Sequence, residues 1–189
     1  MSFERNQQEP LNLPELRQKI AEGVSAMVDL GLHYLNEEEF DQAACYLQAA
    51  ANFEHPDAIY YLAQMHLNGD GVEQNNEIAV EMLIHLAQQH LNGQGMYPAE
   101  ELLRKVWARG ICRDRIDAFY RDIYERSLIL AEDGHDVAMV QAALLLMTVL
   151  TQGEKPSPED TEKARQLLKE AASLGNENAQ MLLRQFADS

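Results

Sequence analysis

The stretch HLNGDGV, His66 to Val72, returns 24 residues later as HLNGQGM, His90 to Met96, with five of seven letters unchanged. Two chemistries make glycine pairs of this kind. One is a loop that cradles phosphate, the other a helix end that recurs in a repeat protein. A phosphate loop of the GxxxxGK[ST] or GxGxxG type follows a β-strand, and the former carries a lysine. Neither copy follows a stretch of alternating polarity, neither is followed by lysine, and Asp70 and Glu73 would repel phosphate. The glycines are therefore read as turn residues that adopt backbone conformations a Cβ would hinder.

Working outward, helical spacing dominates. Ala and Leu recur at threes and fours, and no run alternates cleanly enough for a strand. Helix starts are expected at Pro14, at Pro56–Asp57, at Pro98 and at Ser157–Pro158; ends are expected at Asn36, Asn68–Gly69, Asn92–Gly93, Gly110, Gly134 and Gly175. Nine or ten antiparallel helices with short connections follow. Val137–Leu150, the most apolar stretch, is too short to cross a bilayer, which takes roughly 20 residues, and reads as a core helix.

Internal repetition is the stronger signal. Ala26-x-x-x-Leu30, Ala58-x-x-x-Leu62 and Ala179-x-x-x-Leu183 each place a small and a large residue one turn apart, on one helix face. The junctions AEDGHDVA (131–138), ASLGNENA (172–179) and ANFEHPDA (51–58) each end one helix on alanine and open the next on alanine seven residues on. One turn is evidently used several times.

These residues resemble the Sel-one-like repeat, an α-solenoid family related to the tetratricopeptide repeat. Ala58, Leu62, Ala63, His66 where the family usually has an aromatic, Gly69, Gly71 and Val72 fall on its motif, as do Ala138, Ala143, Gly153, Ala164, Leu168, Ala172 and Gly175. The resemblance implies an all-α, short right-handed solenoid of antiparallel helix pairs, irregular in the middle. Residues 1–12 are expected to be a flexible N-terminus and 13–189 a single domain, with regular repeats over about 20–110 and 131–187 and an atypical long helix over about 111–130. The first unit departs from the motif at Asn36-Glu37-Glu38, and Thr151–Pro158 replaces the glycine loop in the last. The 24-residue spacing is shorter than a tetratricopeptide unit of roughly 34. The helix near Asn76–Leu91 is therefore expected to serve two units at once, or one helix to be missing.

Charge is the second informative feature. Net charge is −16, and Ile20–Leu103 holds fourteen acids without one lysine or arginine. Arg104–Arg126 carries seven basic residues against four acids, and Ser127–Ser189 returns to −5. Such a balance disfavours nucleic acid and anionic membrane and speeds encounter with a basic protein, although it also serves solubility. Arg113, Arg115, Arg121 and Arg126 are expected to pair with acids from the neighbouring helices, at Asp117 and Asp122 or across the stack.

No catalytic, cofactor or metal site is expected. His85 and His90 lie five apart on different faces, HExxH and GxSxG are absent, and Cys45 and Cys112 read as free buried thiols of a reducing compartment. His66 and His90 are expected to pack, and His55 and His135 to serve the turns. The N-terminus lacks a secretory core, so a mature chain starting near Met1, cytoplasmic and bacterial, is expected. It would be a monomer or weak dimer. What the resemblance implies for function is non-catalytic protein binding on a concave face. Positions one turn in from the repeat alanine, Asp29, Tyr61, Gln64 and Gln141, would line it, and Phe119, Tyr120 and Tyr124 are further partner-contact candidates. Two uses fit: a scaffold that captures a basic partner, as an immunity protein neutralising a toxin domain does, or an adaptor in a secretion or envelope assembly.

Overall fold

The computed structural model of the protein describes residues 13–91, 97–148 and 156–187, all helical apart from turns, with no strand among them. The expected flexible N-terminus, Gly93 and Gly95 of the second heptapeptide, and Gly153 lie outside the described residues. Two compact units divide at Arg104/Lys105.

The first unit contains α1 (Leu13–Asn36), α2 (Phe40–Ala51), α3 (Pro56–Asn68), α4 (Asn76–Leu91) and the first turns of α5 (Tyr97–Ala108). Sequential helices pack on one another, α1 on α2, α2 on α3, α3 on α4. Their shared core includes Val28, Ala43, Leu47, Ala58, Leu62 and Met65. Close approach of α1 and α2 depends on Gly31, where a Cβ would stand 2.7 Å from the buried Leu47 side chain.

The second unit holds the last turn of α5, then α6 (Arg113–Glu132), α7 (Asp136–Thr148), α8 (Pro158–Ser173) and α9 (Glu177–Ala187). Ala131, Met139, Ala143, Ala164, Leu168 and Ala179 form its core. Ser157 caps α8 by accepting the Asp160 N–H at 3.0 Å, which satisfies one of the donors a helix start leaves open.

One turn closes six helices. In each, an N–H reaches back five residues to a carbonyl: Glu39 to Tyr34, His55 to Ala50, Asp70 to Met65, Ile111 to Val106, His135 to Leu130 and Asn176 to Ala171, at 2.9–3.4 Å. In each, the residue before the donor is left-handed: Glu38, Glu54, Gly69, Gly110, Gly134 and Gly175, with φ between 58° and 97°. This is the Schellman closure, which satisfies carbonyls stranded at a helix end. Glycine takes the strained position four times and glutamate twice.

Several expectations are corrected. Ala26 and Leu30 keep the small-then-large spacing but are exposed, because no helix precedes α1 among the described residues to cover them. Among the described residues no helix is missing or shared in the middle. The helix α4 is followed by a separate α5, whose Ala99 and Leu103 lie one turn apart and are fully buried, the signature of Ala58 and Leu62. His90 and Leu91 of HLNGQGM thus end the second helix of a pair, whereas His66–Asn68 of HLNGDGV end a first helix. The two copies therefore do not occupy one repeat position. Cys45 is exposed rather than buried. The apolar helix α7 is largely buried, yet Val137 and Leu144 are exposed on it.

Candidate protein-binding surface

HLNGDGV builds its turn from its own side chains. Gly69 closes α3, and the His66 Nδ1 lies 3.0 Å from the Glu73 carbonyl oxygen, so His66 ties down the loop rather than merely packing. Gln74 donates to the Leu67 carbonyl at 2.8 Å, and the Asn75 side chain accepts the Ile78 N–H at 3.0 Å to start α4. Between these ties the loop leans on the start of α2. A Cβ on Gly71 would stand 2.2 Å from the Phe40 carbonyl oxygen.

That contact brings two acidic turns together. The α1–α2 turn carries Glu37, Glu38 and Glu39 and the first turn of α2 carries Asp41, all exposed, and the α3–α4 turn carries half-buried Asp70 and exposed Glu73. Gln42 donates to Glu39 at 2.7 Å and Asn68 to Asp70 at 3.0 Å; both are neutral partners that leave the negative charge in place.

Of the residues expected to line a groove in this unit, Asp29 is exposed on α1, while Tyr61 and Gln64 are half-buried on α3. Tyr61 packs against the core and meets Tyr60 edge-on, ring centroids 5.5 Å apart. In the second unit Gln141 is half-buried and accepts a hydrogen bond from the buried Ser127 hydroxyl at 3.0 Å. Phe119 and Tyr120 are only 4% and 7% exposed, so they serve the interior and offer little to a partner. Tyr124 is half-buried, with the Lys163 ammonium 5.4 Å from its ring centroid and a buried hydroxyl that has no hydrogen-bond partner among the described residues.

The basic segment is satisfied more locally than expected. Arg126 pairs with Asp122 one turn back on its own helix. Asp117 accepts the Trp107 indole N–H at 2.6 Å, and the Arg113 guanidinium stacks on the Trp107 ring at 4.5 Å. The histidines at the junctions act through their backbones: the carbonyl of His55 accepts from Ile59, and that of His135 from Met139, both at 3.1 Å. Among the described residues no group of three His, Cys, Asp or Glu side chains is placed to hold a metal, and no helix is long and apolar enough to cross a membrane.

Sequence reasoning missed the left-handed glutamates, although the alignment of ANFEHPDA with AEDGHDVA sets Glu54 directly over Gly134. It also missed the long-range polar pairs, which carry no local signal.

Paired helices, one recurrent closure and exposed turns define a helical-repeat protein of the α-solenoid class. Residues 56–91 and 140–176 match the Sel1 repeat, so on these segments the chain carries Sel1-like repeats. The first match spans α3 and α4 entire, as one pair. Sel1 repeats generally mediate protein–protein interaction. A Sel1 repeat protein from Oxalobacter formigenes, known from a crystal structure, is similar at 22% identity over 85% of this chain, with a TM-score of 0.44. The match spans 62% of that chain. No curated protein matches.

Proposed function

We propose that the protein is a non-catalytic scaffold whose acidic first unit captures a basic protein partner, in the manner of an immunity protein that neutralises a toxin domain. One observation carries this reading: the Gly71–Phe40 contact brings the turn of Glu73 against the turn of Glu37, Glu38 and Glu39 and the start of α2 with Asp41, within a stretch free of lysine and arginine. Charge placed this way raises the rate of encounter with a cationic surface and makes it sensitive to salt. Asp29, Tyr61 and Gln64 would add contacts along α1 and α3.

A pull-down from the source cells at low and high salt tests it, alongside a variant with Glu37, Glu38, Glu39 and Glu73 changed to glutamine. A partner held by the wild type at low salt and released by either change is expected. Retention of the same partner under both overturns capture by charge. The adaptor reading places the affinity on Tyr61 instead and requires the opposite pattern, indifference to salt with loss on Tyr61→Ala.

A further inference from the structure

A repeat stack that ends in water carries a polar outer face on its terminal helix. The first and last helices among the described residues differ in this respect. Set Ala179 over Ala58, and the buried Ile59 and Ala63 of α3 correspond to Gln180 and Arg184 of α9, both exposed. The outer face of α9 is therefore polar, as a closed end requires.

The helix α1 is the reverse case. Ala26 and Leu30 stand where α3 has Ala58 and Leu62 and α5 has Ala99 and Leu103, all four fully buried, yet Ala26 is exposed and Leu30 is 41% exposed. Ile20, 47% exposed, and Gly23 extend the same face, and a Cβ on Gly23 would meet nothing within 4 Å. Steps of three and four residues join Ile20, Gly23, Ala26 and Leu30, so the helix itself makes them one stripe. The face of α1 that packs toward α2 is a different one, of Val24, Val28 and Gly31.

Charge along α1 is sorted by sign. Arg17 and Lys19 lie near its start, Glu22 and Asp29 follow, and the Glu37–Glu39 turn closes its far end; all are exposed. A head-to-tail contact would set the apolar stripe on the polar face of α9. A two-fold contact sets it on itself, antiparallel, with small Gly23 and Ala26 admitting the facing helix and the cations of each copy toward the acidic end of the other.

We propose that α1 is a dimerisation helix, pairing antiparallel with α1 of a second copy through Ile20, Gly23, Ala26 and Leu30. One helix on each side is a small contact, and a net charge of −16 per chain opposes association, so the dimer is weak and reversible. The inference does not rest on the capture reading.

Sedimentation velocity of the full chain over a concentration series tests it. A concentration-dependent dimer is expected, with its dissociation constant raised about tenfold or more in Ile20→Ser/Leu30→Ser. Orientation is read by oxidation in a Cys45→Ser/Cys112→Ser background: Ala26→Cys, near the middle of the stripe, is expected to form an interchain disulfide readily, and Lys19→Cys, toward one end, to form it poorly. A chain that stays monomeric, an unchanged dissociation constant in the serine variant, or equal disulfide yields at the two positions would each overturn the proposal. Every variant keeps Glu37, Glu38, Glu39 and Glu73, so a lost dimer with the basic partner still bound is expected in Ile20→Ser/Leu30→Ser, and failure of capture alone leaves the dimer standing.

Discussion

Gly71 approaches the carbonyl of Phe40 so closely that a Cβ at position 71 would lie 2.2 Å from the oxygen and 2.3 Å from the carbon. Backbone is the obstacle, so no rotamer change relieves it, and Gly71 also sits at φ +65°. Gly71→Ala is therefore expected to destabilise the first unit by about 2–3 kcal/mol, read from urea denaturation. Gly69→Ala, left-handed but 3.3 Å from only the Gln74 Cβ, should cost less. Equal costs would mean that conformation, not the contact with α2, explains the glycine.

Glu38 and Glu54 hold the left-handed closing position that glycine holds at Gly134 and Gly175. A side chain there costs on the order of 1 kcal/mol. Glu54→Gly and Glu38→Gly are each expected to stabilise the protein by about 0.5–1 kcal/mol, with Glu38 gaining more because Glu37 and Glu39 flank it. Thermal melts of the two variants and of Glu38→Gln, which removes charge but keeps the strain, separate the two contributions.

Local chemistry explains what was legible. Ala58 and Leu62 declared a packing face because burial of a small and a large residue one turn apart has a fixed spacing, and both are fully buried. The recurrent junctions declared a turn because a Schellman closure needs a left-handed residue at one place. The same locality misled at HLNGQGM: helices end within both copies, at Asn68 and at Leu91, so the motif could not say which helix of a pair was ending. Phe119 and Tyr120 could be assigned to a surface or an interior only once α6 had neighbours, since aromatic residues serve both. Asp136 and Asn176, 40 positions apart, meet only in the fold.

Ser127 is a buried hydroxyl whose partner is Gln141, at 3.0 Å. Gln141→Ala strands that hydroxyl and is expected to cost about 1–3 kcal/mol, whereas Ser127→Ala/Gln141→Leu removes both polar groups and should recover much of the loss. A double-mutant cycle by denaturation measures the coupling. The result also sets the control for any binding study: a weakened partner interaction in Gln141→Ala counts as loss of a contact only if the recovered double variant remains weak.

Trp107, the chain's one tryptophan, is held between the Asp117 carboxylate on its indole N–H and the Arg113 guanidinium on its ring. The hydrogen bond is charge-assisted and the indole is buried, so Asp117→Ala leaves a donor unpaired and should cost about 1.5–3 kcal/mol. Arg113→Ala removes a stacked cation at an exposed site and should cost about 0.5–1 kcal/mol. Because no other tryptophan contributes, the folded-state emission of each variant reports directly on this arrangement. A changed spectrum with the larger loss in Asp117→Ala is expected; identical emission and equal stability would show that α6 is fixed by its apolar face alone.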